Sequence, residues 1–123
     1  MKLPPEYFEI VAEGAVILRT IAAKLRAEAA RRPRTPELWL AVRDLEGLSG
    51  RLGAIERRDW ESGSAILLIT GQDLGALDDL MAAGVVADGI PVFAVPSNHL
   101  ASLTRLTDFL RRYLDRDFGA PAA

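Results

Sequence analysis

The sequence predicts an α/β fold: an N-terminal antiparallel helical hairpin, then a β-α-β-α unit with a small parallel sheet, in the order α-α-β-α-β-α. Three observations predict it. Apolar residues recur every three or four positions through the first half of the chain. Two short, continuous apolar runs follow, Ser64 to Thr70 and Ile90 to Val95. Each run leads into a stretch of helical periodicity, and strand–helix–strand implies a right-handed parallel crossover.

Glu6 to Arg32 reads as one long helix, with Pro5 tolerated in its first turn. Tyr7, Val11, Leu18, Ile21 and Leu25 keep helical spacing. Ile10, Val16 and Ile17 widen the apolar surface, and Gly14 permits close packing. The segment ends at Arg32-Pro33. The second helix opens on Thr35 as N-cap, Pro36 in the first helical position and Glu37 at the positive end of the dipole. Leu38, Val42, Leu45, Leu48, Leu52 and Ile55 continue it. Gly47, Gly50 and Gly53 interrupt the pattern at steps of three; they either break the helix near Gly47 or present a smooth face, and a continuous helix with a kink is expected. The short Pro33–Arg34 link makes the two helices an antiparallel hairpin.

Ser64 to Thr70, bounded by Gly63 and Gly71, reads as a strand buried on both faces. Leu74, Leu77, Leu80 and Met81 follow at helical spacing, with Gly84 as the stop. Asp88-Gly89 marks a turn. Ile90 to Val95 is the second strand, with Pro91 near its start. Ser97 or Asn98 caps the last helix, whose Leu100, Leu103, Leu106, Leu110 and Leu114 share one face. Its outer face carries the i,i+4 pairs Asp108–Arg112 and Arg111–Asp115. Two parallel strands make a marginal sheet, so a second chain, or Val85–Ala87 as a third strand, is expected to extend it. One domain is expected over residues 1–118, with the hairpin in 1–60, the βαβα half in 61–118 and a frayed tail at 119–123.

Composition narrows the function. The chain has 123 residues, 50% of them apolar, enough for one core and too many for a disordered chain. No apolar run approaches the roughly 18 residues of a membrane span, and Met1 to Glu9 lacks the layout of a signal peptide, so a cytoplasmic protein is expected. The absence of Cys excludes disulfides, thiol catalysis and thiolate metal sites, and a single His excludes a multi-histidine centre. No cofactor is expected. The basic residues are 13 Arg and 2 Lys, which with abundant Ala suggests a GC-rich bacterial source. The net charge is −2. Residues 61–104 carry no basic group but five acidic ones, Glu61, Asp73, Asp78, Asp79 and Asp88. That balance argues against nucleic acid and anionic membrane as partners. Arg31, Arg32 and Arg34 read as a solvated helix end, and Trp39 and Trp60 as packing residues.

In a parallel sheet, ligands bind beyond the carboxyl ends of the strands. Thr70, Gly71, Gln72 and Asp73 at one strand–helix junction, and Ser97, Asn98 and His99 at the other, are expected to converge there. Two helix N-termini would then aim N–H groups at a small anion or nucleotide. The same residue types also serve as plain caps. No nucleophile elbow, P-loop or dinucleotide fingerprint is present, and Asp78 and Asp79 diverge on their helix, so no catalytic set emerges. Locally, Ile90-Pro91-Val92 leading to Val95-Pro96-Ser97 resembles the second strand of a family of ribosomal RNA-binding proteins and also looks like the vacuolar-type ATPase F subunit, although a stretch without basic residues does not suit RNA binding. Gly75-Ala76-Leu77-Asp78-Asp79 distantly resembles a motif of the cytokinin-activating phosphoribohydrolases, with Ala76 and Asp79 in place of that family's Thr and catalytic Glu. These families need a first strand that residues 1–60 do not supply, and no function is carried over. The expected function is a self-associating interaction or regulatory protein without catalytic activity, forming a homodimer and open to a protein partner. Its interface is expected at Val11, Leu18, Leu25, Leu38, Leu45 and Leu52, because the apolar surface is too wide for one hairpin to cover. The alternative is a small-anion or nucleotide-binding domain, or a weak enzyme, at the strand edge.

Overall fold

The structure is a computed structural model that describes residues 3–32, 34–116 and 118. It is mostly helical (71%). The elements are α1 (Glu6–Arg31), α2 (Pro36–Gly53), α3 (Arg57–Ser62), α4 (Gly71–Ala83), β1 (Val85–Ala87), β2 (Ile90–Phe93) and α5 (Ser97–Leu114). The link residue Pro33 and the tail 119–123 lie outside the described residues.

Four helices form an up-down-up-down bundle. α1 and α2 pack antiparallel: Ser49 Oγ donates to the Ala15 carbonyl at 2.7 Å, and Arg26 pairs with Glu46 further along. α5 packs antiparallel to α1, with Tyr7 stacked on Phe109 at 4.7 Å and Leu106 against Gly14. α4 packs antiparallel to α5, where Asp78 pairs with Arg111 at 2.7 Å and Thr104 meets Met81. α3 and an extended segment, Ser64–Thr70, cross the base between α2 and α4. The β1–β2 hairpin joins α4 to α5 at the top, where the Asp88 N–H donates to Glu37 at the start of α2. Leucines from all four long helices, Trp60 of α3 and Ala87 of β1 share one buried cluster.

The parallel sheet does not form. β1 and β2 are antiparallel, with Val86 opposite Pro91 and Ala87 opposite Ile90. Asp88 and Gly89 between them have φ of 54° and 74°, the two positive values that a primed two-residue hairpin turn requires. Val85–Ala87 is therefore the partner of the Ile90 strand and not a third strand of a parallel sheet. Ser64–Thr70 is extended but pairs with no strand. Its exposure alternates: Leu67 is 4% exposed, whereas Ile66 and Leu68 on either side are 70% and 65% exposed. The run is half-buried with a period of two and not buried on both faces, an alternation that its sequence does not display because each flanking position is as apolar as the buried one.

The helix ends differ in detail. α2 runs unbroken through Gly47 and Gly50 to Gly53. Thr35 sits at its N-cap, but the hydroxyl donates to the Arg32 carbonyl at 2.5 Å and accepts no cap bond. Pro96, not Ser97 or Asn98, occupies the N-cap of α5. Gly84 caps α4 as expected, at φ 67° and ψ −143°, a region essentially reserved for glycine. A Cβ there would also overlap the Phe93 carbonyl, whereas one on Gly47 meets nothing within 4 Å. Gly84→Ala should therefore lower unfolding stability by about 1–3 kcal/mol. Gly47→Ala should be neutral or stabilising, by up to about 1 kcal/mol. Urea unfolding midpoints of the two variants measure the contrast.

Candidate functional site

The antiparallel run of α4 and α5 decides the fate of the expected ligand edge. Thr70, Gly71, Gln72 and Asp73 lie at the start of α4, at the base of the bundle. Ser97, Asn98 and His99 begin α5, at the top. Asp78–Arg111 and Met81–Thr104 fix the two helices head to tail. The two N-termini therefore open at opposite ends of a pair whose longer helix spans about 27 Å. The structure brings each trio or quartet together locally but not the two groups with each other. The parallel-strand geometry on which their convergence depended is absent.

The α4 start is, besides, already occupied by the chain itself. The Thr70 side chain accepts from the Asp73 N–H at 3.2 Å, and Asp73 Oδ2 accepts from the Thr70 N–H at 3.0 Å, a complete capping box. An incoming anion would meet the Asp73 carboxylate. At the other end, Nδ1 of His99 is enclosed with no hydrogen-bond partner among the described residues.

Val11, Leu18, Leu25, Leu38, Leu45 and Leu52 are 0–7% exposed. They face the chain's own interior between α1 and α2, so they do not form a surface that a second copy could touch. α5 supplies the cover that the hairpin lacks, with Leu103, Leu106 and Leu110 fully buried.

The accessible feature is the seam between α2 and α4. Three seams of the bundle are closed by direct helix contact; this one is bridged by a salt link. Arg51 of α2 reaches across to Asp73 of α4 in a two-pronged pair at 3.0 and 3.2 Å. The same guanidinium donates to the Leu68 carbonyl at 2.7 Å and to the Gly47 carbonyl at 3.2 Å. The Arg51 guanidinium, with the Thr70 N–H and hydroxyl, holds the Asp73 carboxyl below its ordinary value, against a smaller opposing effect of burial.

Three clefts follow one another along this seam. The lowest, about 510 Å³, lies between α2 and the extended segment, lined by Gly47, Gly50, Ala54, Ile55, Ile66 and Leu68. The middle one, about 320 Å³, surrounds the Arg51–Asp73 bridge. The upper one, about 290 Å³, has Ala41 and Leu45 on one wall and Ala76 and Leu80 on the other. Small residues at Gly47, Gly50, Ala54 and Ala76 leave the space between the walls unfilled. Sequence reasoning identifies the glycine steps in α2 but not the face they border, because that face depends on where α4 docks.

Among the described residues, no group of three or more His, Asp or Glu is placed to hold a metal ion, and no helix is long and apolar enough to cross a membrane. The seam offers recesses with apolar floors, the Arg51–Asp73 pair between them, and charged side chains such as Asp44 and Asp79 at their edges.

The lowered pKa of Asp73 ties part of the fold's stability to pH. Its contribution to stability is present above the ordinary carboxyl value of 3.8 and is lost as pH falls through the lower folded value. Asp73→Asn should lower stability at neutral pH by about 1 kcal/mol. The gap between parent and variant should close as the pH drops below 3.8, which urea titrations at a series of pH values measure. In comparison with known proteins, no family model matches this sequence, and no curated protein or solved structure matches it significantly.

Proposed function

We propose that this chain is a self-associating interaction protein whose contact face is the extended segment Ser64–Thr70 with the cleft beside it. The observation that carries the reading is the pair Ile66 and Leu68, the two most exposed large apolar side chains of the described residues at 70% and 65%. Two exposed branched side chains flanking a buried one form an apolar edge, and such edges mark association surfaces.

The occupant that fits best is a second copy. A projection (Ile66, Leu68) and a recess lined by Gly47, Gly50 and Ala54 lie side by side on the same face. A two-fold axis turns that arrangement into self-complementarity, each copy's projection entering the other's recess. The projecting segment is uncharged, since Ser62 to Gln72 carries no ionisable group, and the recess it would enter has Glu46, Arg51 and Asp59 among its lining residues. The backbone permits it. The segment's bonds run to the Tyr113 hydroxyl, the Arg51 guanidinium and the Asp59 carbonyl. Ile66 uses neither its N–H nor its carbonyl among the described residues.

The anion-site reading has no such support, since the two helix starts do not meet and one of them is closed by its own carboxylate. Replacing both Ile66 and Leu68 with Asp should leave the helical circular dichroism unchanged, because both side chains are exposed. It should convert a dimer to a monomer in sedimentation equilibrium, weakening association at least about 100-fold, some 2.7 kcal/mol. A parent protein that is monomeric at every concentration overturns the proposal.

A further inference from the structure

The upper cleft of the α2–α4 seam is distinct from the proposed dimer face, from which the Arg51–Asp73 bridge separates it. Its lining is largely apolar, with Ala41, Leu45, Ala76 and Leu80 on the two helical walls and Val85 and Val86 closing one end. The charged residues on its walls are Asp44 from α2 and Asp79 from α4, both exposed. Asp79 makes no ion pair among the described residues, and Asp44 has only the neighbouring Arg43, at 3.7 Å and itself 75% exposed. Asp88 and Glu37 add negative charge at the same end of the bundle, where the Asp88 N–H meets the Glu37 carboxylate. The α4 wall and the hairpin lie within residues 61–104 and so contribute no cation.

We infer that this cleft docks an amphipathic helical segment of a partner protein, with a narrow ridge of Ala or Leu flanked on both sides by Lys or Arg. The walls are two antiparallel helices whose small residues leave the groove between them unfilled, a groove of the kind in which a third helix seats its ridge. Its length from Ala76 to Gly84 is about 12 Å, or two helical turns. A ridge entering the floor places flanking side chains over Asp44 on one side and Asp79 on the other, so charge complementarity selects basic flanks. A phosphate-rich partner such as nucleic acid or an anionic membrane meets the same two carboxylates as a repulsion.

The test uses the full chain and two synthetic helical peptides of about 14 residues that share one Leu/Ala ridge, one flanked by Lys and the other by Glu. Fluorescence anisotropy should show binding of the Lys-flanked peptide, several-fold weaker when ionic strength rises to about 0.15 M, and no binding of the Glu-flanked one. The near-isosteric double variant Asp44→Asn/Asp79→Asn should weaken the Lys-flanked peptide about tenfold. Ala76→Phe, at an exposed position on the wall, should fill the cleft and abolish binding while circular dichroism remains unchanged. Equal binding of both peptides, binding unaffected by either variant, or no binding of the Lys-flanked peptide overturns the inference. A change of oligomeric mass in Ala76→Phe also overturns it, because the cleft would then belong to a second copy.

Discussion

The indole of Trp60 fixes the base of the bundle, and most of the remaining geometry depends on it. Trp60 is 1% exposed, donates from Nε1 to the Pro4 carbonyl at 2.9 Å, and packs against Phe8 and Phe109. Phe109 in turn contacts Tyr7, Tyr113 and Phe118. One aromatic cluster therefore ties the start of α1 and the end of α5 to a helix of only six residues. α3 is too short to be stable alone; burial of Trp60 holds it, at roughly 3–5 kcal/mol for truncation of such a side chain. Gly63, at φ 82°, then ends α3 and turns the chain into the extended segment. The Tyr113 hydroxyl, on a ring of the same cluster, accepts from the Leu67 N–H at 3.2 Å. The exposure of Ile66 and Leu68 follows from that anchoring: with Leu67 held inward, its neighbours on an extended backbone point away.

The seam between α2 and α4 is the complementary feature. The aromatic base and the leucine interior hold α1, α2 and α5 through apolar burial, whereas α4 meets α2 through a half-exposed ion pair. A pair of this kind contributes at most about 1 kcal/mol in water, a small part of the stability of one domain. The hierarchy of forces thus leaves one soft edge in the bundle. It runs beside the glycine face of α2, where no side chain projects to fill the gap.

Much of this is legible in the sequence, although the short helix α3 is not read there, and the misplaced sheet and ligand edge share one cause. Local periodicity places α1, α2, α4 and α5 correctly, and the buried positions from Val11 to Leu52 follow from helical spacing alone. What periodicity lacks is the direction in which elements meet. The run Ser64 to Thr70 has strand composition, but a strand also needs a partner, and Ile90–Phe93 is taken by Val85–Ala87. The signal for that pairing is present: Asp88-Gly89 between two short apolar runs is a strong hairpin marker. Treated as a hairpin and not as a turn in a crossover, it makes α4 and α5 antiparallel and separates Thr70–Asp73 from Ser97–His99. The stripe that seemed too wide for two helices is covered by α5, whose own leucines supply the missing face.

The charge asymmetry along the chain acquires its meaning only in this arrangement. Residues 61–104 have acids and no bases, so every cation that neutralises them must come from another part of the fold. Where a helix with an arginine stands opposite, it does so: Arg51 of α2 meets Asp73 and Arg111 of α5 meets Asp78. Asp79 is one position further round α4, about 100° away from Asp78, and it borders the upper seam, where α2 presents Asp44 instead. An acid facing an acid across an apolar floor is unfavourable within the chain by a small amount in solvent. Nothing in the packing of α4 against α5 requires it, since the buried positions there are Leu74, Leu77 and Leu80. This pair of acids, of which Asp44 alone has a cation beside it, is thus independent of the core that builds the fold, and it coincides with the one helix seam that the core does not close.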